Sequence, residues 1–280
     1  MKTRIITAIV AILIFLPILY FSETVIFPIA MAVLCAVACF EMLQCTQLLK
    51  CYAISIPSIL LGIALPLLPY FLEAASVEHI GVVAMIVIAL YVFAVMTFSK
   101  GKITLANAGS AYLTIIYIIA AFVALCWLRY FVPAGNYVYL ICFIGAWVTD
   151  TFAYFCGYFF GKHKLIPDVS PKKTIEGSIG GTLFCILAMV SYGWIVQLIS
   201  NGTVTANYLT LAISGLFIAV VAQVGDLLMS AIKRTFGIKD YGKLFPGHGG
   251  VLDRFDSVMA VALVLAVISS ITDLFTVTIC

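Results

Sequence analysis

Apolar runs of about 16 to 25 residues, broken by short polar stretches, recur along this whole chain, and that length carries a helix across about 30 Å of hydrocarbon. Nine such segments can be drawn, at roughly 5–22, 25–40, 52–72, 80–98, 111–131, 137–157, 178–199, 207–231 and 257–278. The pattern predicts an all-α, polytopic integral membrane bundle. The second segment is short enough to be re-entrant. The first opens with Lys2 and Arg4 ahead of an apolar run, as a secretory signal does. It has no A-x-A-like cleavage site before Glu23 and so reads as an uncleaved span.

Composition narrows the class further. With 280 residues, 10% charged and a mean hydropathy of +1.20, a soluble globular domain is excluded. Placing the N-terminus inside puts every lysine and arginine except Arg129 on the cytoplasmic side, which predicts an N-in, C-out topology. That basic face favours anionic headgroups or phosphates. The nine cysteines form no CxxC pair, and no His/Cys cluster has zinc-ligand spacing, so they read as small apolar packing residues. Nothing points to a nucleic-acid partner.

Charge is unevenly placed. The first 149 residues carry ten charged side chains and no aspartate, and their glutamates read as loop-edge residues. All seven aspartates lie at or after position 150, and eight charged residues fall between 233 and 256. The chain therefore divides into a scaffold over 1–136 and a region of polar chemistry over 137–280. A carboxylate at the bilayer centre costs about 2.5–3.5 kcal/mol on insertion scales, so aspartates within spans need a reason.

Four polar islands stand out. In WVTDTFAYFCGYFFGK, 147–162, Asp150 lies inside the sixth span, either satisfied by nearby hydroxyls or functional. In SPKKTIEGSIGGT, 170–182, Pro171 could start a helix with Ser170 as its N-cap, and Lys172 and Lys173 offer point charges to phosphate. Its glycines permit close backbone approach to a ligand or to another helix, and it is not a Walker A loop. In QVGDLLMSAIKR, 223–234, Asp226 and Lys233 share a helix face about 10 Å apart along the axis. In PGHGGVLDRFDS, 246–257, the glycine loop suits an anion-binding nest, and Asp253 and Asp256 share one face of the helix that follows. Capping accounts for an aspartate at a helix start but not for Asp226. Clustered carboxylates without cysteine or histidine pairs are hard oxygen ligands, the kind that hold Mg²⁺ together with substrate phosphates. The set predicts metal-assisted phosphoryl or nucleotidyl transfer.

The run SAIKRTFGIKDYGKLFPGHGGVLDRFD, 230–256, resembles the C-terminal signature of the phosphatidate cytidylyltransferase (CDP-diacylglycerol synthase) family. The upstream S-P-K-K-T-x-E-G and W-x-x-D-x-x-A-Y-x-x-G stretches are similar to that family as well, whereas the first 136 residues resemble it only as a bundle of spans. The resemblance implies that CTP and phosphatidic acid give CDP-diacylglycerol and pyrophosphate in phospholipid synthesis, at the cytoplasmic face of a bacterial inner membrane. It implies that Asp226, Asp253 and Asp256 are the metal-centred acidic set, holding Mg²⁺, with a second cation as a further expectation. Lys172, Lys173, Lys233, Arg234, Lys239 and Arg254 become candidates for phosphate contact, with Lys233 and Arg234 closest to catalysis. Ser170, Thr174, Glu176, His248 and the backbone of Gly249 and Gly250 are expected to shape the nucleotide pocket, with Asp150 in polar or metal support. A homodimer is also suggested by the family. His163 and His79 read as interfacial bystanders. Two alternatives stay open: an organic-anion transporter, disfavoured because the polar islands gather toward one face, and a nucleotidyltransferase acting on another lipid phosphate.

Overall fold

The computed structural model describes residues 2–101, 103–247 and 249–278, and His248 therefore lies outside the described residues. Helix α1 covers Lys2–Tyr20, with its apolar stretch at Ile9–Tyr20. Among the described residues, eight further segments are long and apolar enough to cross a bilayer, as expected for a polytopic all-α membrane protein. The first is α2, Ile26–Cys45. The second, Tyr52–Phe71, joins α3 (Tyr52–Ala64) through a 3₁₀ turn to α4 (Leu68–Phe71). Pro66 and Pro69 lack the N–H that an uninterrupted α-helix would use there. The remainder are α5 (Ala74–Phe98), α6 (Leu105–Tyr130), α7 (Gly135–Phe160), α8 (Ile175–Ile199), α9 (Tyr208–Thr235) and α10 (Leu252–Ile271).

Three local expectations change. Helix α2 runs a full 20 residues, and Glu41 near its end is buried within it rather than marking a loop edge. Helix α10 stops at Ile271, and β4 (Phe275–Val277) instead pairs antiparallel with β3 (Val204–Ala206). The helix expected from Pro171 does not form: β1 (Lys164–Ile166) and β2 (Ser170–Thr174) make a hairpin, and α8 begins only at Ile175. Thr174, in extended conformation, is the true N-cap, its Oγ1 accepting from Gly177 N at 3.1 Å.

The chain divides into two compact units: residues up to Cys126 together with Thr235–Arg254, and Trp127–Arg234 together with the chain from Phe255 onward. The loop between α9 and α10 thus belongs with the N-terminal helices. In the first unit α2 packs on α3, burying Phe27, Met31, Cys35 and Met42. In the second, α7 lies along α8. A Cβ at Gly177 would sit 2.5 Å from the Ala153 carbonyl oxygen, and one at Gly181 2.7 Å from that of Thr149. The glycines of this island therefore let two helices meet backbone to backbone.

Candidate active site

In the second unit, four elements bring charge to one place. Asp150 comes from α7, Lys173 from β2, Asp226 from α9 and Asp256 from α10. The approach of α9 to α10 depends on Gly225, where a Cβ would lie 2.6 Å from Ala260 Cβ and 2.9 Å from the Asp256 carbonyl oxygen. Gly225→Val is expected to lower stability by about 1–3 kcal/mol through overpacking, seen as a reduced Tm of the detergent-purified protein.

Lys173 Nζ and Asp226 Oδ2 form an ion pair at 2.5 Å, with side chains 22% and 26% exposed. Ser230 Oγ donates weakly to Asp226 Oδ1, at 3.4 Å. Ser257 links the other two carboxylates. Its Oγ donates to Asp150 Oδ2 at 2.9 Å, and its N–H donates to Asp256 Oδ1 at 2.8 Å. Asp256 is within electrostatic reach of Asp226, Asp150 and Lys233, and Asp150 within reach of Lys173. Three carboxylates thus face two ammonium groups, a surplus of one negative charge.

A cavity of about 520 Å³ adjoins these groups, lined by Asp150, Asp226, Lys172, Lys173, Ser170 and Thr174 among others. Tyr154 and Tyr158 of α7 form part of its wall. Its cationic and hydroxyl lining suits a phosphorylated ligand. Neutralising Lys172, which is exposed, should matter less than neutralising Lys173, which is half-buried and paired.

The first unit carries a second polar site, the glycine loop between α9 and α10. A cavity of about 660 Å³ is lined there by Lys239, Lys243, Arg254, Phe245, Gly247 and Gly249 among others. Phe245 N donates to the Gly249 carbonyl at 2.9 Å, closing the loop on itself. Asp253 Oδ2 accepts from Tyr241 N at 2.8 Å and from Gly250 N at 2.9 Å. The expectation of a free anion nest is corrected at Gly250, whose N–H is already taken by Asp253.

The expected residues therefore distribute as follows. Asp150, Asp226 and Asp256 come together in one unit, with Lys173 and Lys233 beside them, while Arg234 is exposed near the end of α9. Asp253, Lys239, Arg254, Gly249 and Gly250 belong to the loop in the other unit. Glu176 serves the hairpin: its carboxylate accepts from the N–H groups of Lys162 and His163 and meets His163 Nδ1 at 2.6 Å. His163 is thus the partner of Glu176. Ser257 and Glu41 were not singled out from the sequence. Ser257 could have been, as the hydroxyl beside Asp256 in a helix's first turns; Glu41 carries the signal of a charge in an apolar run, AVACFEMLQC, and not of a loop edge.

Comparison with known proteins bears on the whole chain. The model of the cytidylyltransferase family matches residues 2–272. Proteins named phosphatidate cytidylyltransferase are similar over nearly full length. That of Staphylococcus haemolyticus is 34% identical over 96% of this chain and 98% of its own. Those of Staphylococcus saprophyticus and Staphylococcus aureus are each 35% identical, over the same shares of the two chains.

Proposed function

The chain belongs to the cytidylyltransferase family, and we propose that it joins CTP to phosphatidic acid, forming CDP-diacylglycerol and pyrophosphate. The observation that carries this reading is the half-buried Lys173–Asp226 pair in the wall of a cavity lined by lysine and hydroxyl groups, with Asp150 and Asp256 in electrostatic reach. An oxygen of the lipid phosphate attacks the α-phosphorus of CTP. The bond from that phosphorus to the bridging oxygen breaks, and pyrophosphate leaves with the electron pair. The lipid phosphate is ionised near neutral pH, so no side chain need remove a proton.

The remaining barrier is electrostatic, since two polyanions must meet. Lys172 and Lys173 at the cavity wall offset that repulsion, and the buried Lys233 supplies charge beside Asp256. Lys239 and Arg254 are assigned to phosphate as well, from the first unit's cavity. Among the described residues, no three Asp, Glu, His or Cys side chains could hold a metal by themselves. That fits Mg²⁺, which takes one or two carboxylates and completes its shell with substrate phosphates and water. Asp226 and Asp256 would hold it, with Asp150 in support; Asp253, the third aspartate that the resemblance implies, belongs to the other unit. When bound, the ion supplies neutralisation of the triphosphate charge. The distribution of lysine and arginine supports a site facing the cytoplasm.

The direct test is purified protein with CTP and short-chain phosphatidic acid, following pyrophosphate release, with dCTP and ATP as comparison donors. Lipid-dependent release with CTP is expected; its absence would sink the assignment. Lys173→Met should lower kcat/KM for CTP by about 10²-fold, comparable to loss of one preorganised donor. Lys172→Met should lower it less, and the reverse order would contradict the placement of Lys173.

A further inference from the structure

Glu41 is 3% exposed, in a helix whose other buried positions are all apolar. A carboxylate in such surroundings is costly unless its oxygens are bonded. Both of them are. Glu41 Oε1 accepts from Val251 N at 3.0 Å, and Oε2 from Leu252 N at 2.9 Å, across more than 200 residues of sequence. These N–H groups open α10, where intrahelical acceptors are missing and the dipole favours an anion. Gly242 and Gly250, at the two ends of the glycine loop, flank the carboxylate: a Cβ at either would collide with Glu41 Oε1. Asp253 ties the same loop ends through Tyr241 N and Gly250 N, but it does so from the loop's own chain. Glu41 is the tie that comes from α2.

We propose that Glu41 is a positioning residue for the glycine loop. Its carboxylate seats residues 250–252 on α2, and through them sets where Lys239, Lys243 and Arg254 meet a phosphate-bearing substrate. Filling the helix end with an internal carboxylate also keeps that substrate off the α10 N-terminus, leaving the lysine and arginine side chains as its partners. Glu41 itself touches no substrate. The inference rests on the cytidylyl-transfer reading for the identity of that substrate.

The test uses the full chain in lipid nanodiscs, as wild type, Glu41→Gln and Glu41→Ala. KM and kcat are measured for CTP and for phosphatidic acid. In parallel, brief trypsin treatment quantifies cleavage after Lys243, in the loop, against cleavage after Lys164, in β1. Glu41→Ala is expected to raise KM for at least one phosphate substrate about ten-fold or more. It should speed cleavage after Lys243 by a similar factor and leave Lys164 unchanged. Glu41→Gln keeps one acceptor oxygen and should fall between. Wild-type behaviour in both variants overturns the proposal, and so does either change without the other. Cleavage rising equally at both lysines also overturns it, since that is general loosening. If Glu41→Ala yields no folded protein, Glu41→Gln decides on the same criteria. If the wild type does not turn over CTP, the reaction assignment fails, while the cleavage ratio still decides whether Glu41 holds the loop.

Discussion

Asp226→Asn is expected to leave a folded membrane protein whose CTP-dependent turnover is reduced by about 10³-fold, at the upper end of what one preorganised electrostatic group contributes. Two effects combine. The carboxylate assigned to the cation is lost, and Lys173, 22% exposed and 2.5 Å from Asp226, is left half-buried without its counter-charge. The isosteric amide keeps the packing beside Gly225, so the drop reports charge and not fold. Asp256→Asn should fall by a similar order, because Asp256 shares that field with Asp226 and Asp150. Near-wild-type pyrophosphate release by a correctly folded Asp226→Asn protein would remove this residue from the reaction.

Removal of divalent cations is the second large effect. EDTA should bring pyrophosphate release below detection, and added Mg²⁺ should restore it. The physical reason lies in the charge balance of the second unit, where three carboxylates face two ammonium groups before a triphosphate enters. With the nucleotide added, the excess of negative charge is too large for the lysines to offset alone. Asp256→Asn should raise the Mg²⁺ concentration needed for half-maximal rate. Full turnover in EDTA would leave the carboxylates without their assigned task.

Much of this arrangement could be read before any coordinates. Asp150 and Asp226 are conspicuous because a charge inside an apolar run is expensive, and that expense marks the residue wherever its partner lies. Asp253 and Asp256 are both legible at a helix start, and only Asp256 falls beside the other two. Lys172 and Lys173 are legible for a similar reason, as paired cations in a short polar break. Pro171 misled, because proline is tolerated both at a helix start and in an edge strand, and local preference does not choose between them. Pairing of β2 with β1 chose the strand and passed the capping role to Thr174. Gly177 and Gly181 looked equally suited to a ligand or to a helix; their place against Thr149 and Ala153 shows the helix contact.

The amino-acid order alone sufficed for the membrane class, most of the spans, the family resemblance and the candidate aspartates. The class and the spans follow from hydropathy and the in-span aspartates from the cost of buried charge, which act residue by residue, while the resemblance rests on the motif over 230–256. Which carboxylate meets which partner needed the folded chain. Lys173 reaching Asp226, Ser257 joining Asp150 to Asp256, and Glu41 seating a loop more than 200 positions away are pairings between distant elements. Hydrogen bonds and ion pairs act over a few ångströms, and no periodicity along a sequence records which distant backbone N–H will come that close.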